Sequence, residues 1–346
     1  MRRLRGLGVV CVVVSMGANV GAQGQFLANT ALPPQPVPAD NPITDAKVRL
    51  GAQLYFDTRL SADRTVSCAT CHRPKEGWAN HGTTDTGIRG QVGGRNSGTI
   101  LNAGYMHFQF WDGRAATLEE QALGPIQNPI EMGETLESVV QKLNAIPGYH
   151  EQFEAVFGTA VSAATLAKAI AAFERTVVSG PSPYDRFLEG ERDALSRAAQ
   201  RGLDLFRGKG HCLGCHSGPT FADQRYHNLG VGMDKPNPDL GREKISTLLS
   251  DRGRFKTPTL RNIALTAPYL HDGSEATLLA VVEFYNRGGV PNANLDPLMV
   301  PLALSEGEKS DLVAFMEALS GTPPVVEPPA LPPDAASAGA ASGGAL

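Results

Sequence analysis

Residues 68–72 read Cys-Ala-Thr-Cys-His and residues 212–216 read Cys-Leu-Gly-Cys-His. Each is a C-x-x-C-H motif, the attachment signature of a c-type haem. A chain with two such motifs has to enclose two large flat cofactors. One would be held by Cys68, Cys71 and His72, the other by Cys212, Cys215 and His216. Zinc is the competing use of paired cysteines. It fits poorly, because the pairs lie about 140 residues apart and each carries an immediate histidine that zinc does not need.

The start of the chain predicts the compartment. A basic MRRLR is followed by the apolar GLGVVCVVVSMGANV and by small residues before Gln23. That pattern predicts a cleaved secretory signal peptide over residues 1–22 and a periplasmic location. The apolar run is shorter than the ~20 residues of a membrane span and breaks at Gly17-Ala18-Asn19. Of five cysteines, Cys11 would leave with the signal, and the other four all sit in the two motifs. None is then left for a disulfide, although that compartment permits one. The net charge of -4 and the lack of a basic run exclude a nucleic-acid partner. Aromatic residues make up only 6% of the chain, so the haems are expected to supply much of each core.

Residues 23–42 read as a Pro-rich lead-in, and the Pro/Ala-rich residues 321–346 are expected to be disordered. The body between them reads as helix and loop. Apolar spacing predicts helices in DAKVRLGAQLYFD, TLESVVQKLNAI and AATLAKAIAAFERTVV. LSEGEKSDLVAFMEAL opens on Ser305 and Glu308, a capping-box pair. Gly- and Pro-rich loops cover residues 80–98 and 230–258. The chain also repeats itself. LGAQLYF precedes the first motif and RGLDLF the second, and TILNAGYMHFQFWDGRAATLEE resembles TLRNIALTAPYLHDGSEATLLA. Asn102 and Asn262, Asp112 and Asp272, and Gly113 and Gly273 all match at an offset of 160 residues. The expected fold is mainly α, with two homologous cytochrome c-like domains, each with one covalently bound c-type haem. They are assigned to residues 43–185 and 186–320.

In a c-type haem the motif histidine is the proximal ligand, so function depends on the sixth position. The same offset maps Tyr285 onto Pro125. Tyrosine can ligate iron and proline cannot, so the N-terminal haem is the better candidate for an open site. Glu131 follows in an apolar NPIE stretch that would raise a carboxyl pKa and suit proton transfer. A solvated surface carboxylate is the plainer reading of a lone glutamate. Trp111, one of two tryptophans, lies between the motifs and reads either as core or as an electron carrier.

Together CATCH, RNSGTILN, FWDGRAATLEEQALGPIQNPIEM, LFRGKGHCLGCHSGP, FKTPTLRNIALTAPYLHDG and FYNRGG resemble the bacterial dihaem cytochrome c peroxidase superfamily, which includes the MauG-type enzymes. The resemblance covers roughly residues 40–320. It implies a peroxidatic N-terminal haem and an electron-relaying C-terminal one. It further implies Glu131 as the distal catalytic carboxylate, Trp111 between the haems, and Gln121 and Pro125 in the distal pocket. Asn96, Thr266 and Pro268 match the family's inter-haem calcium site, whose oxygen ligands suit a hard cation. Two departures stand out. The loop TTDTGIRGQVGGRNS lacks the histidine that caps the peroxidatic haem in the well-studied peroxidases, and His81 is displaced by several residues. The sixth-ligand position of the second haem, a methionine there, is Tyr285 here, with Met299 as the alternative. His271 is expected to lie behind the ligands or against a propionate.

These readings predict a periplasmic enzyme that reduces hydrogen peroxide with electrons from a small donor, a cytochrome c or a cupredoxin, and that needs no prior reduction. The cofactors expected are two haem c and one calcium, with a homodimer as the family's habit. A MauG-like enzyme that oxidises residues of a partner protein is the first alternative. A non-catalytic dihaem electron carrier, low-spin throughout and blind to cyanide, is the second.

Overall fold

The computed structural model describes residues 32–334. The expected signal peptide lies outside the described residues, as do the start of the lead-in and residues 335–346. The N-terminal half contains α1 (Asp45–Phe56), α2 (Cys68–Cys71), α3 (Leu118–Gln127), α4 (Leu136–Asn144), α5 (Pro147–Phe157) and α6 (Ala163–Glu174). The C-terminal half contains α7 (Pro183–Leu188), α8 (Arg197–Arg207), α9 (Glu243–Ser246), α10 (Leu278–Asn286) and α11 (Glu306–Glu317). Strand among the described residues is limited to β1 (Tyr226–His227) paired antiparallel with β2 (Phe255–Lys256). No helix among them is long and apolar enough to cross a membrane.

Each half is built on one crossing of its first and last long helices. In the N-terminal half α1 packs on α6, and in the C-terminal half α8 packs on α11. Glycine sits at both crossings. A Cβ on Gly51 would lie 2.0 Å from the Ala169 carbonyl oxygen, and one on Gly202 would lie 1.9 Å from that of Asp311. Only a residue without a side chain lets the backbones come so close. The predicted capping box of Ser305 and Glu308 closes on α11, and Thr117 and Thr277 cap α3 and α10. The C-terminal core gathers Tyr184, Phe206, Phe221 and Phe315, with ring centroids 5.1 to 6.3 Å apart. The N-terminal core is mainly aliphatic, centred on Leu50, Leu54, Ile126 and Ile170.

The internal repeat is a structural one. Asn102 and Asn262 share a left-handed φ of 61°. The N–H of Asn102 donates to Val177 O, and that of Asn262 donates to Leu319 O. The β-bridge Gln109–Ala115 recurs as Tyr269–Glu275. The 160-residue offset therefore persists through α3 and α10, which begin at Leu118 and Leu278.

The packing differs from expectation in two places. α7 belongs with the C-terminal half: Tyr184 enters that core, and buried Asp185 accepts from Arg261 at 2.8 and 2.9 Å. The change of halves thus falls before residue 183 rather than at residue 185. Residues 321–334 of the stretch expected to be disordered instead run as an extended strap over the N-terminal half. Trp78 Nε1 donates to Pro324 O at 3.3 Å, Gln53 Nε2 to Ala330 O at 2.9 Å, and Arg59 Nη1 to Pro332 O at 2.9 Å. Proline-rich composition disfavours a packed core, but an extended strap needs only carbonyl acceptors and a few apolar contacts, and Val326 supplies one against Tyr55 and Trp78.

Candidate functional site

A cavity of about 850 Å³ runs through the molecule and is lined by all six residues of the two C-x-x-C-H motifs. That volume lies at the upper end of ordinary ligand sites, ~300–1,000 Å³. α1 sets the first motif in place, since Tyr55 Oη donates to the His72 carbonyl at 2.7 Å. In the second motif His216 Nδ1 donates to Phe221 O at 2.8 Å, which leaves Nε2 with its lone pair facing away from that bond. Burial lowers the pKa of both imidazoles, that of His216 to about 4, so both stand neutral as an iron ligand must. His72 carries no bond on Nδ1. All four motif cysteines are free thiols, with burial pushing Cys71 and Cys212 up to about 12. Paired thiols and a neutral histidine on the wall of a large cavity fit two covalently held haems. No three His, Cys, Asp or Glu side chains among the described residues gather as a metal cluster.

α3 presents Leu118, Gln121, Ala122 and Pro125 to the cavity, and α10 presents Leu278, Val281, Val282 and Tyr285. These are the same helical positions in the two halves. Pro125 lies inside α3 and has no N–H to donate to the preceding turn. Tyr285 lies deep beside Cys215 and Cys212, and burial and those thiols hold its phenol above the ordinary range. Met299 also lines the cavity, so both candidate sixth ligands face it.

Glu131 lies in the turn after α3 and faces the same cavity as His72. Burial raises its pKa, and nearby Asp85 adds to the rise, while Arg114 and the Asn128 hydrogen bond pull against it. Asn128 Nδ2 donates to Glu131 Oε1 at 2.7 Å, and its own Oδ1 accepts from the Ile130 N–H at 3.1 Å. Gly87 presses the following loop against this turn: a Cβ there would lie 2.0 Å from Ile130 O. Ile88 then donates its N–H to Glu131 O at 2.9 Å and buries its side chain in the N-terminal core. His81 turns elsewhere, its Nε2 3.2 Å from Leu265 O. No histidine of this loop lines the cavity.

Trp111 sits where the halves meet. Its Nε1 donates to Asn96 O at 2.8 Å, and its ring meets the His271 ring edge-on at 6.4 Å. His271 in turn stacks on Phe255 at 3.6 Å. Asn96, Thr266 and Pro268 all line the cavity, and the Asn96 N–H donates to His271 O at 2.8 Å. Arg95 ties the halves here, donating to Asp112 at 2.7 Å and to Asp239 at 2.6 Å.

Several cavity groups escaped the sequence reading. Asn128 was legible as an Asn-Pro turn signal, but its bond to Glu131 was not. His227 is held between Asp223 (3.0 Å) and Asp296 (2.7 Å). Burial opposes its charge, yet bonds to Asp223, Cys215 and Asp296 carry its pKa to about 11. Glu174 is buried beside Cys68, unpaired at Oε2, and burial pushes its pKa to about 8. Nothing in the local sequence marks His227 or Glu174, since their partners come from other elements.

A sequence profile for the di-haem cytochrome c peroxidase family matches residues 45–193. The chain is 38% identical to cytochrome-c peroxidase IdrP1 of Denitromonas iodatirespirans, over 94% of this chain and 95% of that protein. It is 41% identical to methylamine utilization protein MauG of Methylorubrum extorquens, over 84% of this chain and 83% of that one. The crystal structure of a MauG-like protein associated with microbial copper homeostasis superposes with a TM-score of 0.78 at 36% identity, covering 84% of this chain and 93% of that one. The two motifs, the duplicated helical halves and these likenesses agree: the chain belongs to the di-haem cytochrome c peroxidase family, oxidoreductases whose membership implies two c-type haems.

Proposed function

We propose that the protein reduces hydrogen peroxide to water at the haem anchored by His72. Its electrons would come from a small redox protein, a cytochrome c or a cupredoxin, by way of the haem anchored by His216. When bound, the haems supply the redox chemistry, and an open sixth position is what admits peroxide. The observation that carries this reading is the asymmetry of α3 and α10, with Pro125 where the other half has Tyr285 and with half-buried Glu131 on the cavity wall.

The chain's own residues have distinct tasks. With peroxide bound, Glu131 would accept one of its protons and return it to the oxygen that leaves as water, the electrons coming from the donor protein. Asn128 aims the carboxylate. Pro125 offers no donor to compete for the open position, and Gln121, one turn earlier on the same face, lines the pocket with a neutral amide. Tyr285, rather than Met299, is the residue that would hold the iron of the second haem on the side away from His216. Trp111 carries electrons across the joint. Asn96, Thr266 and Pro268 hold a calcium ion with side-chain and carbonyl oxygens. The chain is exported to the periplasm, where haem attachment to C-x-x-C-H takes place, and residues 1–22 serve as the signal.

A MauG-like role, oxidation of residues on a partner protein, is the second reading. Tyr285 and a loop that brings no histidine to the cavity favour it. The test is peroxide-dependent oxidation of a reduced small cytochrome c by the fully oxidised protein. Rapid turnover without prior reduction is expected. No turnover, with a slowly decaying change in the haem absorption after peroxide, would favour the MauG-like role instead.

A further inference from the structure

Four cations are buried in the described residues, and each has a partner. Lys47 donates to Asn41 Oδ1 (3.0 Å) and Pro42 O (2.9 Å), and Lys309 pairs with Glu283 and Glu306. Arg175 pairs with Glu119 at 2.6 Å and Arg261 with Asp185 at 2.8 Å. A fifth cation, Lys256, is half-buried and has neither hydrogen bond nor ion pair at its Nζ among the described residues. What surface it keeps faces the cavity. Burial alone draws its pKa down to about 8.

The backbone holds Lys256 firmly. Its N–H donates to Trp111 O at 2.7 Å, and its residue pairs with Tyr226 across β1 and β2. Its neighbour Phe255 stacks on His271, and His271 meets Trp111. Lys256 therefore stands at the joint between the halves, its backbone bonded to that of Trp111 and its side chain on the cavity wall. An ammonium drawn out of water without a partner is costly, a cost that structures avoid by supplying an anion. Among the described residues none is supplied. If two haems fill the cavity, as family membership implies, the anions that enter with them are their propionate carboxylates.

We propose that Lys256 Nζ binds a haem propionate at the joint between the two halves, beside Trp111. This rests on the reading that haems occupy the cavity. A fixed positive charge at the edge of a haem favours the reduced iron, so the pairing makes Lys256 a positioning residue that also raises that haem's potential.

The test uses the dihaem protein, with Lys256→Met and Lys256→Arg made beside it. Mass spectrometry counts the attached haems, and spectroelectrochemistry reads both midpoint potentials. Two haems in every sample are expected, with the potential of one haem lowered in Lys256→Met and restored in Lys256→Arg. Two haems with both potentials unchanged in Lys256→Met would overturn the proposal and leave the haem reading intact. Fewer than two haems in the unmutated protein would overturn the reading beneath it. A crystal structure of the unmutated holoprotein gives a check that no folding defect can blur. Nζ is expected about 3 Å from a propionate oxygen, and an ammonium facing only water or a buffer anion would overturn the pairing.

Discussion

Burial holds the Glu131 carboxyl above its ordinary range, Arg114 and Asn128 draw it back, and Asp85 pushes it up. The ionised form is the one that accepts a proton from peroxide. Activity should therefore rise with pH through the raised pKa of Glu131, giving an acid limb displaced upward from that of a free carboxylate. Glu131→Gln keeps the shape and the bond with Asn128 but cannot take the proton. Both haems should remain attached, the limb should vanish, and kcat should fall roughly 10²–10⁴-fold, the usual worth of a positioned acid–base group. Steady-state turnover across the acid range checks this, and unchanged turnover would remove Glu131 from the mechanism. The flanking Pro129 and Ile130 hinted at an apolar setting. Gly87, Asn128 and Asp85 had to be seen around the carboxyl before its surroundings could be weighed.

α3 and α10 are the same element in two settings. Each starts at a threonine cap and turns the same four helical positions to the cavity. The difference is at the last of them, Pro125 against Tyr285. Tyr285→Phe removes the phenol oxygen and leaves the ring, so α10 should keep its packing. The expected outcome is a change in the absorption and electron-spin-resonance signals of the C-terminal haem alone. No spectral change would favour Met299, which lines the same cavity. The offset that links the two positions was legible in the sequence. Its persistence into these helices was not, because a few matching residues cannot exclude an intervening insertion. The matching starts of α3 and α10 and their four equivalent lining positions show that there is none.

At the scale of the molecule the halves are joined twice. One joint is the cavity region, where Arg95 reaches Asp239 and Arg242 Nη1 donates to Asp112 O and Gly113 O. The other is the strap, which leaves α11 and crosses back over the N-terminal half. Its bonds from Trp78, Gln53 and Arg59 and its ion pair from Arg59 to Asp334 all act on that half. Ending the chain after Pro323 removes them. At about 1 kcal/mol net for each hydrogen bond, the loss should be roughly 2–4 kcal/mol. The urea midpoint should fall, and hydrogen exchange should quicken in α1 more than in α8. Equal exchange in both helices would show that the strap bears no load on the N-terminal half.

The sequence by itself determined the two motifs, the helices flanking them and the twofold repeat. Each is a short-range pattern: covalent spacing, a 3.6-residue periodicity, a cap. It also carried the candidates, since Glu131, Trp111, Pro125 and Tyr285 are each placed by a fixed distance from a recognisable motif. The tertiary structure decided which of them share a wall, and it supplied the groups whose meaning is purely spatial. Lys256 is an ordinary lysine in the sequence, and only its lack of a partner among the described residues makes it conspicuous. His227 gains its charge from aspartates 4 and 69 residues away. Proline content argued for a free tail, yet carbonyls that no helix uses found donors on α1 and Trp78. Burial and long-range pairing are properties of the folded chain, and no local pattern encodes them.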